Sequence, residues 1–461
     1  MGRDLDKERF SEAEFTRFGE RLEEQLVVLR ELLGEPGFGQ GPATIGAELE
    51  LFLVDAAGRP LPRNSEIRDE LGDPRVVLEL GRFNLEVNLT PQPLAGRPFE
   101  ALGAEIQETI TRIDQAVEHG GVVPIGILPT LGTGDFTRQA ISDENRYRAL
   151  SRGVRRLRLE PFIVKIEDLE LTVEDVILEA ANTSWQVHLR TPPDRFARLF
   201  NAAQLAVGPV LAACGNSPFF LGRQLWEETR IALMEEAVDD RDVARRFRRD
   251  GRVTLGSDWV HEGAYELFER YVRDYEPVVP ELSDSDDKSE LAELRLHQGT
   301  VWQWNRPVYD PADGGHLRIE MRALPAGPSC ADMAANTAFL LGLTLSQAQR
   351  DLTGYRFAEA YRNFYRAAMH GLGAKLSWPG FKGEFRADDL ILDLLPESRA
   401  ALLAAGVIPS DADAALEVIR QRVRLGRTGA VWQKENFSGD WEQLVRRYRE
   451  RALSGLPVHM W

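Results

Sequence analysis

Cysteine is nearly missing from this chain. Cys214 and Cys330 are the only two among 461 residues, too few for a disulfide framework or a structural zinc site. At most they could form one regulatory disulfide. Histidine is sparse as well: the seven are scattered and no HExxH pair occurs, which removes the zincin type of metal site. Basic charge is in short supply, with 56 Lys and Arg against 73 Asp and Glu and a net charge of −17. That balance argues against nucleic acid or an anionic membrane as partner. It leaves small anionic substrates open, because a bound divalent cation reverses the local sign. No uninterrupted apolar run is long enough to span a bilayer. The opening stretch Met1–Phe10 is charged and carries no apolar signal segment. Asp6 breaks the myristoylation pattern and no prenylation cysteine closes the chain. The expectation is a cytoplasmic protein.

Familiar nucleotide and nucleophile motifs are also lacking. No GxxxxGK[ST] loop occurs, so P-loop nucleotide binding has no support. Gly37-Phe38-Gly39-Gln40-Gly41 precedes a strand instead of following one, and Thr137 stands where Gly132-Thr133-Gly134 would need a third glycine. Both read as plain loops. Ser184 and Ser217 lack the strand–turn–helix setting of an activated serine.

What the chain does have is a set of four β-strands with acid-rich polar faces. In Thr44–Leu53, Glu48 and Glu50 share one face while Ile45, Ala47, Leu49 and Leu51 share the other. In Phe83–Thr90, Asn84, Glu86 and Asn88 oppose Phe83, Leu85, Val87 and Leu89. Thr183–Arg190 sets Ser184, Gln186 and His188 against Trp185, Val187 and Leu189, and His316–Ala323 sets Glu320 and Arg322 against Leu317, Ile319 and Met321. Side chains alternate across a strand, so each segment offers an apolar face to a core and a polar face elsewhere. An antiparallel sheet with one solvated face would also alternate. Such faces mix Thr, Ser, Lys and Glu, however, whereas the ionisable side chains singled out here are four carboxylates, one histidine and one late arginine, with no lysine. Neighbouring carboxylates on adjacent strands repel, and a positive partner must compensate. Hard divalent cations take carboxylate oxygens, and Mg2+ is commonly held by a few carboxylates together with substrate phosphates. The residue types favour a metal–phosphate site.

Around these strands the chain reads as α+β. Ser11–Leu33, Arg97–Glu118 and Asp143–Arg156 carry helical periodicity, Gly121–Leu128 reads as a buried strand, and helices follow at Pro192–Cys214 and Gln224–Val238. The stretch Arg241–Lys288 is mostly polar, and its acidic loop Ser283–Asp287 reads as a solvated insertion. From Ser329 to Arg451 the pattern is almost wholly helical. The expected arrangement is one catalytic body, with a sheet-bearing core over 1–330 and a helical portion over 331–461 packed on it.

The polar strands and their order resemble a family. Ile45-Gly46-Ala47-Glu48-Leu49-Glu50-Leu51-Phe52 resembles the opening strand of the glutamate–cysteine ligases and related carboxylate–amine ligases. Asn145-Arg146-Tyr147 is similar to the family's Arg-Tyr element, and Gln186-Val187-His188-Leu189 to its central strand. Gly215-Asn216-Ser217-Pro218-Phe219 resembles its NSPF turn, with Arg230 downstream. His297, Thr300, Trp302 and Arg306 keep the spacing of an H-x-x-T-x-F-x-x-x-R element that leads to Ile319-Glu320-Met321-Arg322. Together these span about residues 44 to 335. Trp302-Gln303-Trp304 departs from the family's Phe-Pro, and Arg190 stands where some relatives have Asp.

The resemblance implies a glutamine synthetase- or guanido kinase-like fold, a curved antiparallel sheet whose concave face holds ATP and Mg2+ (or Mn2+). It also implies that Glu48, Glu50, Glu79, Glu86, His188 and Glu320 bind metal and that Gln186, His188 and Arg322 face the nucleotide. Glu320 and Arg322 would be catalytic, with Arg322 against the transferring phosphate. Arg146, Arg230 and Arg306 would hold substrate carboxylates or phosphates. The implied reaction joins the γ-carboxylate of L-glutamate to the amine of L-cysteine through an acyl phosphate. A ligase for another amino acid or amine is the alternative. A guanido-kinase-type phosphotransferase that stops after phosphoryl transfer comes next, then a nucleotide sensor without turnover. The implied partners are small molecules.

Overall fold

The computed structural model describes residues 5–158, 160–242, 245–352 and 354–461. The first four residues of the charged opening stretch, and two positions within the polar stretch 241–288, lie outside the described residues.

Eight strands form one antiparallel sheet. In chain order they are β1 (Thr44–Asp55), β2 (Val76–Leu78), β3 (Asn84–Asn88), β4 (Gln92–Pro93), β5 (Gly120–Val123), β6 (Ser184–Thr191), β7 (Asn305–Asp310) and β8 (His316–Pro325). Across the sheet the order is β7-β8-β6-β1-β3-β2, with β4 and β5 pairing onto the two ends of β1. The sheet curls into an open half-barrel with helices around it, which is the curved antiparallel sheet that the resemblance implies. The four polar-faced segments become β1, β3, β6 and β8. Their apolar faces build the core: Leu49, Leu51, Leu85, Val87, Trp185, Val187, Leu317 and Ile319 are fully buried.

The flanking helices follow the sequence with adjusted ends. Glu12–Gly34 starts at a capping box in which the Ser11 hydroxyl and the Glu14 carboxylate each satisfy the other's backbone N–H. Its Phe18, Leu22, Leu26 and Leu29 are buried as the periodicity requires. Gly121–Leu128 is buried throughout, but only its start pairs with β1. Pro124 has no N–H to continue the ladder. The helix expected from Gln224 begins at Arg230, because Leu225, Glu228 and Thr229 donate their backbone N–H groups to Pro218, Ala368 and Ser217 instead. Two hairpins, Phe162–Ile166 with Leu169–Val173 and Lys375–Ser377 with Glu384–Arg386, have no counterpart among the expected elements. The second turns through Gly380 and Gly383, both at positive φ, and so interrupts the helical C-terminal region.

One 22-residue helix, Pro193–Cys214, matches a membrane span in length and apolarity although Arg198 and Gln204 interrupt it. Of its most apolar 18-residue window, 83% is buried inside the molecule. It packs on the helices Cys330–Gln347 and Phe357–His370. Cys214 and Cys330 are both free thiols in separate surroundings. Cys214 is buried beside Arg422, and Cys330 donates to Gln107 Oε1 at 3.1 Å.

Candidate active site

Sheet register decides which polar side chains meet. Glu50 on β1 lies opposite Glu86 on β3, and Glu48 lies opposite Gln186 on β6. On the other side of β6, His188 lies opposite Glu320 on β8, which in turn faces Arg306 on β7. These residues share the wall of a cavity of about 660 Å³. Every site residue singled out in the sequence lines this cavity except Arg230.

At one end the charges are paired. Arg306 grips the Glu320 carboxylate with two contacts of 2.9 Å, Nε to Oε2 and Nη2 to Oε1, and Arg322 Nη1 donates to Oε1 of the same group. Burial works to raise Glu320, but the two guanidinium groups override it and hold the carboxyl far below its ordinary range. Beside it, His188 Nε2 lies 3.2 Å from Glu48 Oε1. Burial again opposes ionisation, and the His188 ring overrides it to hold Glu48 low. Neither ring nitrogen of His188 makes an aligned hydrogen bond, and Glu48 Oε2 has no partner among the described residues. One ligand atom from each of Glu48, His188 and Glu320 falls within 4.8 Å of the others.

Further along, acids outnumber their partners. Glu50 is anchored by the Ser184 N–H at 2.7 Å and by Gln186 Nε2 at 2.9 Å. Gln186 turns its oxygen to Arg322 Nη1 at 2.5 Å, so one amide ties Glu50 to the arginine. Burial, then the charge of Glu48, pushes Glu86 up to about 7. Burial, then Glu50, pushes Glu179 up to about 8. Glu79 is driven well above its ordinary value by burial and then by Glu86 and Glu50. Acids that must hold protons in the bare protein are those whose protons a cation replaces. The orphaned ring nitrogens and carboxylate oxygen at one end, and the crowded carboxylates at the other, fit a divalent cation.

Among the expected substrate arginines, Arg146 lines the cavity with its guanidinium 4.4 Å above the Tyr147 ring. Arg306 lines it too, but it is engaged by Glu320 and by the carbonyls of Gln298 and Val301, both at 3.3 Å. Arg230 is only 2% exposed and lies outside the cavity wall, paired with the buried Glu228. Its guanidinium, expected to hold a substrate carboxylate or phosphate, makes its contacts within the protein. The acidic loop is solvated as expected at Asp284, Asp286 and Asp287, but part of it also reaches the cavity. Ser283, Asp284 and Ser285 form part of the cavity wall, held there by the Ser283 N–H on the buried Glu293 carboxylate at 2.9 Å.

Glu179 and Arg318 line the cavity and escaped the sequence reading. Glu179 sits on a short 3-10 turn, Val176–Ala181, which has no strand or helix period. Its one signal is a lone acid inside an apolar run. Arg318 was findable, since it shares the β8 face of Glu320 and Arg322.

Residues 44–448 match the family model described as glutamate-cysteine ligase family 2. Among solved structures, a glutamate–cysteine ligase from Francisella tularensis in complex with AMP is similar at a TM-score of 0.62 and 14% identity, over 90% of this chain and 89% of that one. A bifunctional glutathione synthetase from Pasteurella multocida aligns at a TM-score of 0.49 and 14% identity, over 94% of this chain and 56% of that one. The fold comparison rests on the first of these. No curated protein matches the chain by sequence.

Proposed function

The chain belongs to glutamate-cysteine ligase family 2, a family of ATP-dependent ligases, and from that premise we propose a Mg2+-dependent carboxylate–amine ligase acting on L-glutamate and L-cysteine. The observation that carries this reading is Arg322, buried in the cavity between Gln186 and Glu320 beside the Glu48–His188–Glu320 cluster. A carboxylate does not react with an amine at neutral pH, so it must first gain a leaving group. An oxygen of the glutamate γ-carboxylate attacks the γ-phosphorus of ATP, ADP departs, and an acyl phosphate remains. The protein's task in that step is alignment and charge stabilisation. Arg322 meets the charge that spreads over the transferring group, and Gln186 and Glu320 fix the guanidinium in place beforehand. Mg2+ or Mn2+, when bound, supplies charge neutralisation at the phosphate oxygens, and Glu48, His188 and Glu320 with Glu50, Glu79 and Glu86 would hold it. The cysteine amine then attacks the acyl carbon, phosphate leaves, and the amine gives up its proton.

A second reading keeps the ligase and changes the amine. Trp302 lines the cavity four residues before Arg306, where the resembling ligases carry Phe followed by Pro. An indole there alters the shape of the wall. The test is ADP release with Mg2+, ATP and L-glutamate, adding each of the twenty amino acids in turn and identifying products by mass. Stimulation by cysteine with γ-glutamylcysteine formed supports the first reading, and stimulation by another amine the second. ADP release with no need of an amine overturns both.

A further inference from the structure

The strand that carries Arg322 is irregular at that residue. On β8, Met321 pairs with Val187 of β6, but the next pair is Leu324 with Trp185. Three residues on β8 thus span two on β6, and the extra residue forms a β-bulge at Arg322–Ala323. Bulges break the alternation of side chains and re-aim one of them. A bulge also frees backbone groups from the ladder, and buried ones need partners.

The group freed on the β6 side, the Ala323 carbonyl, has one, while the Arg322 N–H still follows the β7 register. The Arg322 N–H donates to the Trp304 carbonyl at 2.8 Å. The Ala323 carbonyl accepts from Arg230 Nη2. Arg230 is itself fixed. Its Nε donates to Glu228 Oε1 at 3.1 Å, and its own backbone N–H donates to Ser217 Oγ at 3.2 Å. Ser217 Oγ and the Asn216 N–H, each at 2.8 Å, complete the shell around the Glu228 carboxylate. Glu228, Ser217 and Asn216 are all fully buried. The Gly215–Phe219 turn therefore holds a carboxylate, the carboxylate holds Arg230, and Arg230 holds the bulge.

We infer that Arg230 is a positioning residue for Arg322, acting through the Ala323 carbonyl, and does not bind substrate. The inference rests on the proposed role of Arg322 at the transferring phosphoryl group. Arg230→Lys keeps Glu228 paired but loses the forked reach to Ala323. It is expected to lower kcat roughly tenfold or more while the KM for ATP moves less than about twofold, the pattern of an interaction felt in the transition state. In an Arg322→Ala background the same change should cost less than about twofold, because the two residues act as one unit. Glu228→Gln with Arg230→Gln, which leaves no buried charge unpaired, should behave alike.

A readout independent of turnover is amide hydrogen exchange. Arg230→Lys should speed exchange at residues 321–325 and leave β1 and β3 unchanged. Unaltered exchange at 321–325 would overturn the inference, as would a kcat loss that adds in full to that of Arg322→Ala. An Arg322→Ala enzyme with wild-type turnover would instead remove the proposed role of Arg322, while the exchange measurement still judges the brace.

Discussion

Two guanidinium groups serve Glu320, whereas burial and neighbouring carboxylates push Glu86 up to about 7 and Glu179 up to about 8. Glu320→Gln should thus leave Arg306 and Arg322 without their shared anion and weaken the Glu48–His188–Glu320 cluster. We expect turnover to fall by at least about 100-fold, the scale of losing a preorganised charge contact, and Mg2+-dependent ATP binding to weaken in calorimetry; undiminished turnover would refute the assignment. A second acid has a distinct signature away from the cavity wall. Burial pushes Glu235 up to about 7 even though Tyr365 and Trp304 donate to it. Its ordinary value is 4.5, so the folded chain keeps a proton that the unfolded chain releases on going from pH 4.5 to 7. Stability carried by that proton is lost as pH rises through this window. Glu235→Gln retains an acceptor for both donors and should flatten the decline in urea-unfolding midpoints between pH 5 and 7; an unchanged slope would count against the shift. At this scale the sequence exposed the acids that alternate along strands, and it hid those, such as Glu179, that sit on turns without a period.

Elements were legible where one face had a single task. Strands β1, β3, β6 and β8 each separate core from cavity, so the period of two is clean and their ends fall within a few residues of expectation. The helix at Arg230 was misjudged at its start because long-range backbone bonds from Leu225, Glu228 and Thr229 outcompete helical ones, and no local pattern encodes a distant partner. The same holds for the junction of helices in the C-terminal half. Arg422, on helix Pro409–Leu425, donates to Asp332 at 2.7 Å and to Asn336 at 2.6 Å on helix Cys330–Gln347, and to the Ala213 carbonyl at 3.1 Å at the end of the long apolar helix. Asp332 also accepts the Val458 N–H at 2.9 Å, which ties down the chain end. Arg422 and Asp332 are essentially fully buried. Breaking such a pair from one side strands a charge at a cost of about 3–5 kcal/mol. Arg422→Ala should show a loss of that order in chemical denaturation, and a change under about 0.5 kcal/mol, the size of an ordinary surface substitution, would contradict the role given to the junction.

For the molecule as a whole the net charge is −17, and the acids that matter to the site are the few that line the cavity. In the bare protein, rising pH strips protons from Glu86 near 7 and Glu179 near 8, groups whose unfolded counterparts ionise at 4.5. The metal-free fold should therefore weaken as pH climbs from about 4.5 toward 8, and a cation that displaces those protons should stabilise more at pH 8 than at pH 6. Chelated protein melted with and without Mg2+ at the two pH values tests this, with a stabilisation on the order of 2.7 kcal/mol at a hundred times the dissociation constant; a shift of equal size at both pH values would rule it out. The strand order has a further consequence for how the protein is made. The ribosome delivers β1, β3 and β6 long before Arg306 and Arg322, which arrive on β7 and β8. At roughly 5–20 residues per second, tens of seconds separate Glu48 from the two arginines that neutralise its neighbourhood. Through that interval the early strands carry Glu48, Glu50 and Glu86 without Arg306 and Arg322 beside them, so the cavity wall is completed only by the last two strands to be made.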